Sequence, residues 1–358
     1  MVKSDPWIIF SIFQYDVCAY CPSNMKVMVT GGAGYIGSVC VEELIKAGHQ
    51  VEVIDSLAEG FREALVPQAK LHVGCLSNRD WVFDKMHSIQ PQAVIHFAAL
   101  AKVGESMILP EKYFANNVSA GLNLVDACVA SKVKKIVFSS TCATYGIPDY
   151  VPLDEEHPQS PINPYGESKL IFEKILRWYQ EIHGLQYVAF RYFNAAGAAE
   201  NRGQSHREMS HLIPSVLQVV LGQKDHCDIL GTDYPTPDGT CIRDYIHIKD
   251  LAEAHIKAIE SDATGFYNLG TGSGYSVREV IQACEKITGK PIKCQDKPRR
   301  DGDPQELVAD PSKAQNTFGW KAHQSSLDEI IASAWKWHSE NPQGYLATSE
   351  PAQTSVSL

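Results

Sequence analysis

The sequence predicts an α/β protein built on a doubly wound parallel sheet, with a smaller α/β cap domain after it. Short β-branched runs alternate with helical stretches from Lys26 onward, and a glycine-rich turn follows the first run. Past Asn194 the alternation of strands and helices becomes less regular, and shorter elements and loops follow. Strands that alternate with helices build a parallel sheet covered on both faces, so its buried strands read as nearly continuous apolar runs.

The elements follow from these runs in order. Strands are predicted at residues 27–29, 51–55, 93–97, 135–140 and 187–192. The first helix is predicted over residues 39–47, and Gly48 ends it. Residues 231–240 combine Gly, Pro, Asp and Thr and predict a loop.

Charge and hydropathy argue against two classes of partner. The 358 residues carry a net charge of −10, whereas nucleic-acid binding needs concentrated Lys and Arg. No apolar run approaches the roughly 20 residues that span a bilayer. The apolar run at residues 7–13 lies between Asp5 and Asp16 without a small-residue cleavage site, so we expect an extension rather than a signal peptide. We therefore expect neither a nucleic-acid nor a membrane partner.

The ten cysteines are scattered along the chain, and the one close pair is Cys18 and Cys21. A zinc site would need a second Cys or His pair at suitable spacing, and none follows. Free thiols are typical of the reducing cytosol. We therefore expect no metal and a cytoplasmic location.

The glycine-rich turn at residues 30–37 lies between a predicted strand and a predicted helix. Glycines at Gly31, Gly34 and Gly37 allow a pyrophosphate to approach the backbone at a helix N-terminus, where N–H groups point outward. Asp55 ends the next strand, 18 residues after Gly37. Its carboxylate would accept hydrogen bonds from an adenosine ribose and repel a 2′-phosphate. The expected cofactor is NAD rather than NADP.

Tyr165 and Lys169 are four residues apart and share one face of a helix. A free phenol has a pKa of about 10, and a nearby cation favours the phenolate that can act as a base. Thr141 follows a predicted strand and would reach the same hydroxyl group. Over a nicotinamide, these groups predict removal of an alcohol proton while the carbinol carbon is oxidised.

Taken together, the motifs resemble the extended short-chain dehydrogenase/reductases, and within them the UDP-glucose 4-epimerases. The resemblance runs from about Met25 to Tyr345. It rests on residues 30–38 (TGGAGYIGS), 96–99 (HFAA), 103–106 (VGES), 116–118 (NNV), 165–169 (YGESK), 191–194 (RYFN), 233–240 (DYPTPDGT), 243–247 (RDYIH) and 298–303 (PRRDGD).

The resemblance implies a reversible inversion at C4 of UDP-glucose and UDP-galactose through a transient 4-keto sugar, with tightly bound NAD. Tyr165 takes the proton of the 4′-hydroxyl, and Lys169 and Thr141 assist it. The keto sugar rotates about its link to the diphosphate before it is reduced on the other face. The residues implied to bind NAD are Gly31, Gly34, Tyr35, Ile36, Gly37, Asp55, Cys75, Leu76, Phe97, Ala98, Asn116, Ser139, Tyr165, Lys169 and Tyr192.

The UDP-sugar is implied to be held by residues from both halves of the chain. They are Thr141, Tyr165, Asn194, His211, Leu212, Leu230, Arg243, Arg300, Asp303 and Leu307. Two guanidinium groups suit a diphosphate because they offer paired N–H donors. Taken alone, Arg299 and Arg300 would more often be a solvated surface pair.

The chain departs from the family pattern at three positions. Cys75 stands where the family usually has an Asp that bonds the adenine amine, so adenine should be held less firmly. Ala101 stands where some members have Lys, and Lys102 is next to it. Leu307 stands where members restricted to glucose and galactose have Tyr, so UDP-N-acetylglucosamine and UDP-N-acetylgalactosamine are conceivable substrates.

Other classes of enzyme and of NAD-binding protein share the predicted fold. A 4,6-dehydratase or decarboxylase typically has an acid after the catalytic Thr or Ser, but Cys142 and Ala143 follow Thr141. A UDP-pentose epimerase stays open. A non-catalytic NAD-binding protein would commonly lack the Tyr/Lys pair, and a hydroxysteroid or flavanone reductase would lack the paired arginines.

The predicted domains follow from these assignments. Residues 1–24 form an N-terminal extension expected to be poorly ordered, and residues 25–194 an NAD-binding Rossmann domain. Residues 195–345 form a UDP-sugar-binding domain, and residues 346–358 a flexible tail. The resemblance also implies a homodimer packed through helices at residues 116–131 and 165–183.

Overall fold

The computed structural model describes residues 24–205 and 211–347. The predicted N-terminal extension up to residue 23, with Cys18 and Cys21, lies outside the described residues, as do residues 348–358 of the predicted tail. No helix among the described residues is long and apolar enough to cross a membrane.

The strands alternate with helices along most of the described chain. They are β1 (Lys26–Thr30), β2 (Gln50–Asp55), β3 (Lys70–Val73), β4 (Ala93–His96), β5 (Lys135–Thr141), β6 (Gln186–Tyr192), β7 (Asn194–Ala196), β8 (Cys227–Leu230), β9 (Ile242–His247), β10 (Gly265–Leu269), β11 (Gly274–Ser276), β12 (Cys294–Lys297) and β13 (Glu306–Leu307).

The helices are α1 (Tyr35–Lys46), α2 (Arg79–Ile89), α3 (Val103–Ser106), α4 (Pro110–Tyr113), α5 (Ala120–Ala130), α6 (Pro164–His183), α7 (Leu212–Val220), α8 (Ile248–Glu260), α9 (Val277–Thr288), α10 (Ser312–Phe318) and α11 (Leu327–Glu340). Short 3₁₀ turns lie at Arg62–Ala64, Cys142–Thr144 and Gly344–Ala347, and a π-helical segment at Phe114–Ser119.

Within residues 24–205 and 211–347, seven parallel strands form one sheet in the order β10-β6-β5-β4-β1-β2-β3. The strand order reverses at β1, which lies between β4 and β2. Parallel sheets bind ligands at such a switch point, outside the carboxyl ends of the strands. The doubly wound α/β fold predicted from the sequence is confirmed.

Alternating side chains of β1 bury both faces of the sheet. Val27 and Val29 pack into a core with residues of α1 and α8, whereas Met28 packs into a second core with residues of α2, α5 and α6. Each of these three β1 side chains has no exposed surface. The two-residue period of the strand therefore places a helical layer on each face.

The smaller lobe has its own core, in which Leu217 of α7, Val280 of α9 and Ile331 of α11 are buried together. Strands β7, β9, β11 and β13 form a second sheet, and β12 pairs with β8. Strand β10 pairs with β6 of the large sheet although it lies beyond the predicted division at residue 194. The large sheet therefore contains strands from both predicted domains, residues 25–194 and 195–345. The domain bounds stay a prediction.

Two helices differ from their predicted bounds. Helix α1 begins at Tyr35, inside the glycine-rich turn, rather than at residue 39, because Gly34 is its N-cap. The predicted helix at residues 116–131 is a π-helical segment followed by α5. Within the π-helical segment, the amide of Asn117 bonds the Leu100 backbone and the Ser168 hydroxyl.

Candidate active site

A cavity of about 1120 Å³ is lined by residues that follow β1, β2, β4, β5 and β6 and by residues of the smaller lobe. All but two of the residues predicted to bind cofactor or substrate line it. The two exceptions, Cys75 and Leu76, line a smaller cavity of about 40 Å³ that shares Asp55, Ser56, Ala98 and Asn116 with the large one. The structure thus brings the predicted residues together.

The glycine-rich turn leaves no room for side chains. Gly31 has φ of +71°, and a Cβ there would lie 2.5 Å from the Ala98 nitrogen. A Cβ at Gly37 would lie 2.2 Å from the Gly31 carbonyl oxygen. Gly34 caps α1 without a side-chain hydrogen bond, and the first turn of the helix has no acidic residue. The helix N-terminus is therefore suited to an anion.

Asp55 is 7% exposed and lies at the end of β2. Its Oδ2 accepts a hydrogen bond of 2.9 Å from the Ala33 backbone, and its Oδ1 one of 2.8 Å from Leu57. Burial raises the pKa of the carboxyl, and these two bonds oppose that shift. A carboxylate accepts about four hydrogen bonds, so the Asp55 oxygens keep capacity for a ligand hydroxyl.

Cys75 is half-buried, and its sulfur accepts a hydrogen bond of 3.1 Å from the Ser77 hydroxyl. Leu76 beside it is 7% exposed and belongs to the core under β1 and β4. At the small cavity that the two residues line, the Cys75 thiol is a much weaker hydrogen-bond partner than the carboxylate of Asp would be.

Tyr165 lies in the first turn of α6, which Asn163 caps by accepting a hydrogen bond of 2.8 Å from the Gly166 backbone. Desolvation raises the pKa of Tyr165 to about 12, and a hydrogen bond with the Thr141 hydroxyl opposes that shift. Thr141 ends β5, so the strand and the helix bring both hydroxyls to the same cavity.

Lys169 is 3% exposed, one helical turn beyond Tyr165. Its Nζ donates a 2.6 Å hydrogen bond to the Ser139 carbonyl and lies 4.7 Å from the centre of the Phe138 ring. Burial lowers the pKa of Lys169 to about 7, and the negative charge of Glu173 opposes that shift. Lys169 is four residues beyond Tyr165 on α6, so the two side chains share one face of the helix and line the same cavity.

Tyr113 contacts both α6 and the segment that follows β4. Its ring meets that of Tyr165 edge-on at 6.5 Å, and its hydroxyl bonds the Lys102 carbonyl and Glu105. Lys102 lines the large cavity, and its Nζ is 3.5 Å from Glu59 in the loop after β2. Ala101, which stands where some family members have Lys, is therefore followed by a cation, Lys102, that lines the cavity.

Arg243 on β9 is 8% exposed and donates from Nη2 to Asp303 at 2.5 Å and to the Pro304 carbonyl at 2.7 Å. Arg300 donates to the other oxygen of Asp303 at 3.0 Å. Asn194 at the start of β7 lines the same cavity. Arg299 instead bonds Asp233 and lies 4.1 Å over the Tyr234 ring, away from the large cavity.

Leu307 is 7% exposed and pairs in register with Arg243 across β13 and β9. It packs with Cys142, Tyr145 and Phe193, and it also lines the large cavity. His211, Leu212 and Leu230 line the same cavity from the smaller lobe. Among the described residues, no three His, Cys, Asp or Glu side chains are grouped to hold a metal.

Glu173, a buried carboxylate four residues beyond Lys169 on α6, was not identified from the sequence. Glu173 is 1% exposed and forms an ion pair of 2.8 Å with Arg191 of β6. Its spacing of four residues from Lys169 on a predicted helix is a signal that was present in the sequence. The partner Arg191 has no such signal, because only the packing of β6 against α6 brings it there.

Comparison with known proteins identifies the family. Residues 27–270 match the model of the NAD dependent epimerase/dehydratase family. UDP-glucose 4-epimerase of Halalkalibacterium halodurans is 48% identical over 92% of this chain and all of that protein. The chain belongs to this family, among its UDP-glucose 4-epimerases.

Solved structures agree with that assignment. UDP-glucose 4-epimerase from Brucella ovis in complex with NAD superposes with a TM-score of 0.84 at 43% identity, over 87% of this chain and 98% of that one. The enzyme from Bifidobacterium longum, in complex with NAD+ and UDP, gives 0.85 at 40% identity, over 89% and 99%. The family expected from the sequence is confirmed, as is its NAD-dependent class of enzyme.

Proposed function

We propose that this enzyme interconverts UDP-glucose and UDP-galactose by inverting C4 through a transient 4-keto sugar. The observation that carries the proposal is the convergence of three groups on one cavity. These are the glycine-rich turn with Asp55, the Tyr165–Thr141–Lys169 set, and the Arg243–Arg300 pair. The names of the relatives support the same reaction.

The residues around the glycine-rich turn fit NAD. A Cβ at Gly31 would overlap the Ala98 backbone and one at Gly37 the Gly31 carbonyl, so the turn requires glycine at both positions. The N-terminus of α1, which has no side-chain cap, would hold the pyrophosphate there. Asp55 suits a ribose diol and would repel a 2′-phosphate. Held by these residues, NAD would accept a hydride from C4 and return it, so one cofactor would serve both half-reactions.

In our proposal, Tyr165 removes the proton of the 4′-hydroxyl and returns it once the sugar has turned over. The Thr141 hydroxyl, which lines the same cavity, passes the proton between the sugar oxygen and the phenol. The ammonium of Lys169 stabilises the phenolate, and the Ser139 carbonyl holds that ammonium in place. The buried surroundings exclude water, which strengthens each of these interactions.

Arg243, Arg300 and Asn194 hold the diphosphate in this proposal, while the sugar stays free to rotate. Asp303 bonds both guanidinium groups and thereby orients them at the cavity. An anchor on the diphosphate alone permits the keto sugar to present either face to the same cofactor.

The residues after Thr141 argue against elimination at C5 and C6. Cys142 is buried and packs with Tyr145 and Leu307, and Ala143 follows it. No acid occupies these two positions. A dehydratase would need one to transfer the C5 proton, so the geometry favours the epimerase.

Leu307 supports a broader substrate range in our proposal. Leu is smaller than Tyr, and the side chain lines the cavity beside Arg243. We infer that the site accepts UDP-N-acetylglucosamine and UDP-N-acetylgalactosamine beside the main substrates. We also place the enzyme in the cytoplasm, where its eight described cysteines would remain free thiols.

We further propose a homodimer. Trp178 and Ile182 are one turn apart on α6, and they are 52% and 67% exposed. Leu122 of α5 is 36% exposed, and α5 packs beside α6. Sedimentation should give a dimer for the wild type and a monomer for Trp178→Glu/Ile182→Glu. A monomeric wild type would contradict the proposal.

The reaction is tested by incubating the purified enzyme with UDP-galactose, UDP-N-acetylgalactosamine or UDP-xylose without added NAD. Chromatography of the products should show UDP-glucose from the first substrate. Formation of a 4-keto-6-deoxy sugar would instead indicate a dehydratase, and turnover of UDP-xylose alone would indicate a pentose epimerase.

A further inference from the structure

Glu173 connects the two elements that carry the reacting groups. Its Oε1 accepts a 2.5 Å hydrogen bond from the Ser140 hydroxyl and a 3.1 Å bond from Nε of Arg191. Its Oε2 accepts from Nη2 of Arg191 at 2.8 Å and from Gln159 at 3.1 Å. All four acceptor positions of the carboxylate are therefore used.

Ser140 lies between two residues of β5 that line the large cavity. The carbonyl of Ser139 accepts the hydrogen bond of Lys169, and Thr141 lines the same cavity as Tyr165. Glu173 lies one turn beyond Lys169 on α6. The Ser140–Glu173 hydrogen bond therefore joins β5 to α6 next to Thr141 and Lys169.

The charge of Glu173 also faces Lys169. Four residues along a helix places two side chains about 5–6 Å apart at Cβ. The other groups around the ammonium are Tyr165 on the same helix, the Phe138 ring and Ser139 carbonyl on β5, and His96 on β4. Burial and the Lys169 charge lower the pKa of His96 to about 3, so His96 is neutral.

Arg191 on β6 is the cation that pairs with the Glu173 carboxylate. It is 2% exposed, lies between the rings of Tyr145 and Phe266 at 5.1 and 4.9 Å, and bonds the Tyr145 hydroxyl at 2.9 Å. Because Arg191 is fixed by these partners, it holds Glu173 without drawing it away from Ser140. Of the charged side chains named around Lys169, Glu173 is the negative one.

We propose that Glu173 is a positioning residue for the Tyr165–Lys169 pair: it locks the end of β5 to α6 through Ser140 and keeps a negative charge beside the ammonium. It touches neither substrate nor cofactor, and neither Glu173 nor Arg191 lines the cavity. The proposal rests on the proposed epimerase function, in which Lys169 must stay protonated to stabilise the phenolate.

The test compares Glu173→Gln, Ser140→Ala and Gln159→Ala with wild type in pH profiles of kcat for UDP-galactose. Loss of the charge disfavours the ammonium, so in Glu173→Gln the alkaline fall in kcat should begin about one pH unit lower. Ser140→Ala keeps the charge and should lower kcat about tenfold or more at every pH with KM unchanged. Gln159→Ala removes one donor to the same carboxylate and should match wild type.

Glu173→Gln leaves Arg191 buried without its partner, which destabilises folded proteins. Glu173→Gln/Arg191→Gln removes both charges and serves if the single variant does not fold. A folded variant of either kind with an unchanged alkaline limb would overturn the charge role, and an unchanged kcat in Ser140→Ala would overturn the link. Wild-type enzyme that fails to convert UDP-galactose would count against the proposed function instead.

Discussion

The Nζ of Lys169 lies 2.6 Å from the carbonyl oxygen of Ser139, which joins α6 to β5 across 30 residues of sequence. The contact directs a buried ammonium to the side of the helix on which Tyr165 lies. A lysine free to move would not bias the ionisation of one phenol. The orientation of this side chain therefore underlies the first prediction.

Tyr165→Phe should lose nearly all turnover while it still binds UDP-sugar. The substitution removes the proton acceptor and leaves Arg243 and Arg300 in place. Loss of a general base typically costs about 10²–10⁴-fold in rate. Steady-state kinetics and calorimetric titration with UDP would measure the two effects. Turnover within threefold of wild type would remove Tyr165 from the mechanism.

The purified enzyme should carry NAD, at less than one per chain, because Cys75 replaces a carboxylate beside the adenine position. The nucleotide released on denaturation can be identified by chromatography. Cys75→Asp should raise the occupancy, since a carboxylate accepts a stronger hydrogen bond from an amine than a thiol does. NADP in place of NAD would contradict the role assigned to Asp55.

Leu307→Tyr should suppress epimerisation of UDP-N-acetylglucosamine and change the UDP-glucose reaction far less. The larger ring would occupy the part of the cavity beside Arg243 that a 2-acetamido group needs. Such exclusion appears as a difference in kcat/KM between the two substrates. Equal losses for both, or no wild-type turnover of the acetylated sugar, would show that Leu307 does not control access.

Gly37→Ala should destabilise the protein by about 1–3 kcal/mol and lower its NAD content, because the new methyl group would overlap the Gly31 carbonyl. Gly104 lines the same cavity, but a Cβ there meets nothing within 4 Å. Gly104→Ala is therefore the matched control. Thermal unfolding and NAD content would distinguish the two, and equal behaviour would refute the steric argument.

Stability should fall as the pH drops below about 6.5. Burial lowers the pKa of His338 to about 4, and that of His247 and His255 likewise. As the pH falls, these imidazoles bind protons in the unfolded chain at a higher pH than in the folded chain. The free energy of unfolding therefore decreases between about pH 6.5 and about pH 4. In His338→Gln, urea unfolding between pH 7 and pH 5 should show a shallower slope, by up to about 1.4 kcal/mol per pH unit.

His87 is exposed on α2 and offers the matched control for that measurement. His87→Gln should keep the wild-type slope. If His338→Gln also kept it, the imidazole of His338 would be titrating alike in the folded and unfolded chains.

Sequence alone was sufficient where a function depends on local spacing. The glycine-rich turn between β1 and α1, Asp55 at the end of β2, and Tyr165 and Lys169 one turn apart are set by the periods of strand and helix. Each could be placed without knowing what packs against it. The parallel sheet also followed from sequence, because strands buried on both faces are apolar throughout.

The tertiary structure decided the contacts that join distant segments. Glu173 meets Ser140 and Arg191 because α6 packs on β5 and β6, and Arg243 meets Asp303 across 60 residues. Strand β10 completes the large sheet from beyond the predicted division. No local period determines such pairs, since they depend on how whole elements pack to bury their apolar faces. The orientation of Lys169 and the alignment of the arginines are therefore properties of the folded chain.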